Sequence, residues 1–193
     1  MSQTNDTTNT TVSLSQMRDD IFECPPGSVI VHSCNCIGVW GRGFAKTLAD
    51  LYPEQYDEYR DHCKSANQKT RAQSFKPQLR GTALLCEPPA SKDRRNHAVG
   101  CLFVKAKPGP TPSYGDNRQQ ILAHTKTSFE DLLLQVAKHA GQHSGSKMPE
   151  LHLPKINSGL FNVPWEMTKK TILTLELPEG THKDDWKIFV HEH

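Results

Sequence analysis

The sequence contains no long apolar run: nothing approaches the roughly 18 consecutive residues that a membrane-spanning helix needs, so a membrane role is not expected. An apolar leader is missing too. Met1–Thr11 is rich in Ser, Thr and Asn and has no hydrophobic stretch of the kind a secretory signal carries. A cytosolic or nuclear protein is therefore expected. Nor is there an excess of charge of one sign, since 23 basic and 21 acidic side chains leave a formal net charge of +2. That balance gives no strong nucleic-acid signal. Basic residues do gather locally, with Lys64, Lys69, Arg71, Lys76 and Arg80 in one polar stretch and Lys92, Arg94 and Arg95 in another. Such runs read first as solvated loops.

Paired cysteines at metal-ligand spacing are also absent. Cys34 and Cys36 have no second pair to complete a site, so no metal is expected. Of the six cysteines (Cys24, Cys34, Cys36, Cys63, Cys86 and Cys101), Cys34, Cys86 and Cys101 sit in apolar, strand-like runs. There a free thiol behaves as a small hydrophobe, and without a secretory signal reduced thiols are expected. No internal repeat of solenoid period occurs.

What is present is an ordinary single domain of 193 residues, 35% hydrophobic and 23% charged. Residues 1–10 read as a disordered tail and 11–193 as the domain. Strands are expected at Thr11–Leu14, Ser28–Ser33, Thr82–Cys86, Ala98–Val104, Leu151–Ile156 and Trp186–Val190, from short β-branched or apolar runs bounded by turn residues. Helical spacing is expected over Phe44–Tyr52, continuing after Pro53 to about His62, then over Arg118–Ala140 and Trp165–Leu175. Lys64–Gln78 reads as an insertion or long loop, and Pro108–Pro112 as a breaker. Strands alternating with helices predict an α/β sandwich with a mostly parallel sheet, whose ligands bind in loops at the carboxyl ends of strands.

Two such loops carry glycine. The first runs from His32 through Asn35, Gly38, Trp40, Gly41 and Arg42 to Gly43, Phe44 and Ala45. Its three glycines let the backbone approach a ligand and aim consecutive amides at it, and the helix opening near Phe44 adds a positive dipole end that favours phosphate. The second runs from Asn157, Ser158 and Gly159 through Leu160, Phe161 and Asn162 to Pro164, the favoured first position of a helix. Phe161 is either a face for a sugar or base or a core anchor for its loop. Two anion-binding loops at one end of a sheet suit a diphosphate better than a single phosphate. His32 and Asn35 stand where the strand meets the first loop, so they are candidates for the reactive end: His32 to move a proton, Asn35 to orient a ribose hydroxyl. A rival reading uses the same loop. Cys36 and Arg42 have the spacing of cysteine phosphatases, in which a thiolate attacks phosphorus. Against it, Asn35 rather than His precedes Cys36, and Gly43 rather than Ser or Thr follows Arg42. Asp116 is a further acid/base candidate, or else a helix N-terminal charge.

The run His32-Ser33-Cys34-Asn35-Cys36, followed by Gly38, Trp40, Gly41 and Gly43, together with Ile156-Asn157-Ser158-Gly159, Phe161 and Val163-Pro164-Trp165, resembles the macrodomains. Within them the chain is most similar to the fungal ADP-ribose 1″-phosphate phosphatase group, from about Asp19 to Val190. The resemblance implies a three-layer α/β/α sandwich around a central mixed, mostly parallel sheet of about six strands. It implies ADP-ribose or ADP-ribose 1″-phosphate as ligand, with ADP-ribosylated proteins as a further class, and hydrolysis of the terminal phosphate without a cofactor. Asp20, followed by Ile21, falls where macrodomains accept from the adenine amino group. Asn35 falls at the distal ribose, and Gly41, Arg42, Gly43, Phe44 and Ala45 embrace the diphosphate with Ser158, Gly159, Leu160 and Phe161. His32 replaces an asparagine, as it does in the phosphatase group. A related branch removes ADP-ribose from glutamate side chains with a Lys and an Asp. Phe161 stands where that Asp is expected, and Lys105 matches the Lys only approximately. Two alternatives to phosphatase action follow: an ADP-ribosyl-protein hydrolase and a non-catalytic ADP-ribose reader.

Overall fold

The computed structural model describes residues 12–69, 78–88, 96–110, 116–142 and 147–192. The expected tail over 1–10 lies outside them, as do Arg71, Lys76, Lys92, Arg94 and Arg95. In chain order the elements are β1 (Leu14–Met17), β2 (Val29–Asn35), α1 (Gly43–Leu51), α2 (Pro53–Lys69), β3 (Ala83–Cys86), β4 (Ala98–Lys105), α3 (Arg118–Gln142), β5 (Leu151–Pro154), α4 (Trp165–Ile172) and β6 (Ile188–His191). A short 3-10 turn, Ile21–Glu23, separates β1 from β2.

The strands form one mixed sheet in the order β1-β6-β5-β2-β4-β3. The β1–β6, β6–β5, β5–β2 and β2–β4 pairs are parallel, and β3 runs antiparallel to β4. Burial at nearly every position of β2 and β4 is what parallel strands covered on both faces require. Their side chains alternate between two cores. Val29 and Val31 join Phe129, Leu132 and Leu133 of α3 and Ile172 of α4. Ile30 and Cys34 join Leu48 of α1 and Tyr59 and Cys63 of α2. Each fully buried Leu or Phe contributes roughly 1.5–3 kcal/mol, so both cores hold the sheet between helix layers. The result is the expected three-layer α/β/α architecture.

Several boundaries differ from the sequence reading. β1 begins at Leu14 because it pairs with β6, from Leu14 opposite Ile188 to Met17 opposite His191. This edge strand has no alternating apolar face from which its position could be read. Lys64–Lys69 is helix, not loop. No Gly or Pro interrupts α2 after Pro53, Cys63 stays buried, and its polar residues form a solvent face with an Asp61–Lys64 ion pair at 3.0 Å. β5 stops at Pro154, where the amide of Ile156 turns back to donate to the Pro154 carbonyl at 2.6 Å. Because β2, β4 and β5 are parallel, their carboxyl ends share one edge of the sheet, and the loops that follow them meet there.

Candidate active site

At that edge lies a cavity of about 650 Å³, lined by His32–Asn35, Val39–Ala45, Pro108, Gly109 and Pro154–Phe161. Its size suits an organic ligand of nucleotide class. The first wall is the loop after β2, which begins at a break in the β2–β4 register between Cys34 and Asn35. Asn35 then folds the loop around its own side chain. Its Oδ1 accepts from the amides of Ile37 at 3.1 Å and Val39 at 3.3 Å, and its Nδ2 donates to the Val39 carbonyl at 2.6 Å. The Tyr59 hydroxyl donates to the Asn35 carbonyl at 2.7 Å. Gly38 needs its freedom here: φ is 77°, and a Cβ would lie 3.1 Å from the Arg60 Cα. Trp40 is 2% exposed and stacks on Tyr59 at 4.9 Å and Tyr56 at 5.3 Å, which pins the loop to α2.

α1 begins at this wall with no side-chain cap at Arg42 and no acidic residue in its first turn. The opening amides of a helix are unsatisfied from within it and sit at its positive end. Those of Gly43, Phe44 and Ala45 are thus available at the cavity wall. Gly43, with φ of 56°, lets the chain turn into the helix.

The opposite wall is the loop after β5. Asn157 and Asn162 hold left-handed φ values of 66° and 55°, a conformation that Asn tolerates better than most residues. The Asn157 amide donates to Ser33 Oγ at 3.3 Å, and its Nδ2 donates to Thr125 at 3.0 Å and Thr168 at 3.4 Å. Ser158 Oγ donates to the Lys155 carbonyl, and the Arg118 Nε to the Asn162 carbonyl at 3.0 Å. Phe161 extends toward β4, where the Lys105 ammonium lies 5.7 Å from its ring centre and donates to the Gly109 carbonyl at 2.6 Å. Burial lowers the Lys105 pKa, with Asp116 nearby acting the other way.

His32 forms part of the cavity lining, half-buried between Phe44 at 5.3 Å and Trp40 at 6.3 Å. Burial pushes its imidazole down to about 4, so the ring is neutral near pH 7. Its Nδ1 is buried without a hydrogen-bond partner among the described residues.

The structure thus brings His32, Asn35, Trp40, Gly41, Arg42, Gly43, Phe44 and Ala45 to one wall, and Asn157, Ser158, Gly159, Leu160 and Phe161 to the other. It does not bring Asp20, Ile21 or Asn162 into the lining. Asp20 is exposed and its Oδ1 accepts from the Phe22 amide at 3.0 Å, while the Ile21 side chain is wholly in the core. The 3-10 turn still abuts the site, because Phe22 stacks on Phe44 at 5.4 Å. Asn35 lines the cavity, and its Oδ1 and one Nδ2 hydrogen also build the loop. Asp116 is not a free acid: its Oδ1 accepts from Arg80 at 2.8 Å and its Oδ2 from the Ala106 amide at 2.8 Å. Ser33, Cys34, Val39, Pro108, Gly109, Pro154, Lys155 and Ile156 also line the cavity and were missed as site residues. For Pro108 and Gly109 the signal was their place after β4, at the carboxyl end of a parallel strand.

The rival thiolate reading fails on geometry. Cys36 is 0% exposed and outside the lining, and burial, with Cys63 beside it, raises its thiol pKa strongly. All six cysteines are free and buried. Among the described residues there is no group of three or more His, Cys, Asp or Glu that could hold a metal ion. No helix among them is long and apolar enough to cross a membrane.

Comparison with known proteins adds the following. The family model described as Macro domain matches residues 31–172. A protein of Chaetomium globosum named ADP-ribose 1″-phosphate phosphatase is 34% identical over 165 residues, covering 83% of each chain. One of the same name from Aspergillus oryzae is 33% identical, covering 83% of this chain and 88% of its own. Among solved structures, the macrodomain of Thermus aquaticus DarG superposes with a TM-score of 0.63 at 19% identity, covering 94% of this chain and 99% of that one. Thermosipho africanus DarTG in complex with ADP-ribose superposes at 0.55 and 18% identity, covering 93% and 43%.

Proposed function

The chain belongs to the Macro domain family, and on that premise we propose that it hydrolyses ADP-ribose 1″-phosphate to ADP-ribose and inorganic phosphate. The observation that carries the reading is the pairing of two walls around one cavity. The uncapped first turn of α1 faces the Ser158–Phe161 loop, with a neutral His32 between the aromatic rings of Trp40 and Phe44. Backbone amides on both sides suit the diphosphate, and this fixed grip orients the terminal phosphate for attack. The relatives named for this activity, at 33–34% identity, support the same reading.

In the reaction a water oxygen bonds to phosphorus and the bond from phosphorus to the ribose O1″ breaks. The departing oxygen takes a proton. His32, neutral near pH 7, positions the attacking water or takes its proton. Asn35 holds the loop shape and orients the distal ribose, with Phe161 beside that ribose. Asp20 receives the adenine amino group at the far end, next to Phe22. The domain is taken as residues 11–193, acting in the cytosol or nucleus, with ADP-ribosylated proteins as a second class of ligand.

The test has two stages. Calorimetry with ADP-ribose first establishes nucleotide dependence. Phosphate release from ADP-ribose 1″-phosphate is then measured for wild type, His32→Ala and Cys36→Ser. The expectation is loss of turnover with retained binding for His32→Ala, and turnover near wild type for Cys36→Ser. Full turnover in His32→Ala rejects the histidine mechanism, and loss in Cys36→Ser restores the thiolate one. Binding without any phosphate release by wild type indicates a reader.

A further inference from the structure

A buried pair of histidines beside the site has no part in the reaction above. His152 of β5 and His191 at the end of β6 are 2% and 1% exposed, and His152 Nδ1 lies 2.9 Å from His191 Nε2. His191 Nδ1 lies 3.1 Å from the Asp19 carbonyl oxygen and 3.1 Å from Asp19 Oδ1. The His152 ring is held flat against Phe189 at 4.9 Å.

Both Asp19 oxygens are acceptors, so His191 Nδ1 is the donor to them. Its Nε2 shares one hydrogen with His152 Nδ1, so each ring fixes the orientation of the other. His152 Nε2 is buried without a hydrogen-bond partner among the described residues, with Glu150 Oε2 3.6 Å away. Glu150 is itself engaged by Lys187 at 3.1 Å. Apolar side chains would fill the same space without this desolvation cost. A buried polar network of this kind specifies geometry.

The geometry it specifies is that of Asp19, an exposed residue with Asp20 next to it. Below this point, the amide of Glu192 donates to the Met17 carbonyl at 3.0 Å, fixing β1 to the end of β6. Above it, Ile21 is anchored in the core. Between the two, His191 grips Asp19 by both its main chain and its carboxylate.

We propose that His191, oriented by His152, is a positioning residue that sets the Asp19–Asp20 segment and thereby the selectivity of the site for the adenine amino group. The inference rests on the assignment of Asp20 to adenine under Proposed function, and the experiment separates the two. Calorimetry compares ADP-ribose with inosine diphosphate ribose, which lacks that amino group, and thermal melting checks that each variant is folded. Asp20→Ala tests the assignment. His191→Asn keeps an amide donor near the Nδ1 position, His191→Gln moves it to the Nε2 position, and His152→Phe removes only the orienting hydrogen-bond partner while still packing on Phe189.

Asp20→Ala is expected to abolish the preference for ADP-ribose. His191→Gln should reduce it by about fivefold, the worth of one hydrogen bond, with His191→Asn close to wild type and affinity for the inosine ligand little changed. His152→Phe should reduce the preference in the same direction, and it carries the test if His191→Gln does not fold. A preference that survives Asp20→Ala rejects the adenine assignment and takes the inference with it. A preference lost in Asp20→Ala but intact in His191→Gln or, where that variant does not fold, in His152→Phe rejects the positioning role alone.

Discussion

The amide of Asn157 donates to the side-chain oxygen of Ser33 at 3.3 Å, joining positions 124 residues apart. Ser33 lies near the end of β2 and Asn157 opens the loop after β5, so this bond ties the two walls of the cavity together. Asn157 also sits at a left-handed φ of 66°, a backbone state that needs such support. Ser33→Ala is expected to cost about 1 kcal/mol of stability. Affinity for ADP-ribose should fall with it, because the walls lose a shared reference. Urea unfolding and calorimetry on the same variant check this, and unchanged affinity would count against the linkage.

Asn35→Ala removes the acceptor of two loop amides and the donor to the Val39 carbonyl. The expected cost is on the order of 2–3 kcal/mol. Hydrogen exchange at the Ile37 and Val39 amides should accelerate well beyond the rest of the chain. A variant that loses turnover while these amides stay protected would mean that Asn35 acts on substrate and not on its loop.

The pH dependence of stability follows from His32. Its pKa falls from 6.5 in the unfolded chain to about 4 in the folded one, because burial penalises the charged ring. Between those values the unfolded chain binds the proton, so the contribution is whole above about pH 6.5 and is lost as pH falls toward 4. The urea midpoint should therefore drop between pH 7 and pH 5, and His32→Phe should drop less. His152, lowered in the same direction by burial, accounts for part of what remains. An equal drop in wild type and His32→Phe would show that the imidazole is not buried in solution.

Asp116→Ala leaves the Arg80 guanidinium without the carboxylate 2.8 Å away and the Ala106 amide without its acceptor. A loss on the order of 3 kcal/mol is expected, as for a buried charge-assisted bond. At temperatures where the variant is folded, turnover should persist. Abolished turnover in a folded Asp116→Ala protein would return Asp116 to the list of acid/base candidates.

The sequence by itself determined the layer order and the identity of both loops. β2 and α3 were legible because an element buried on both faces, or along one helical stripe, writes that burial into its local residue pattern. The glycines and the Asn157-Ser158-Gly159 run were legible because close backbone approach admits few residue types. β1 and the end of α2 were not, since an edge strand and a polar helix carry no such pattern. Only the tertiary structure decided that the Asn35 amide shapes its own loop, that Asp116 is paired with Arg80, and that His152 and His191 meet beside Asp19. Those outcomes depend on which distant residues arrive at hydrogen-bonding distance, a property of strand order and crossover geometry that local spacing does not encode.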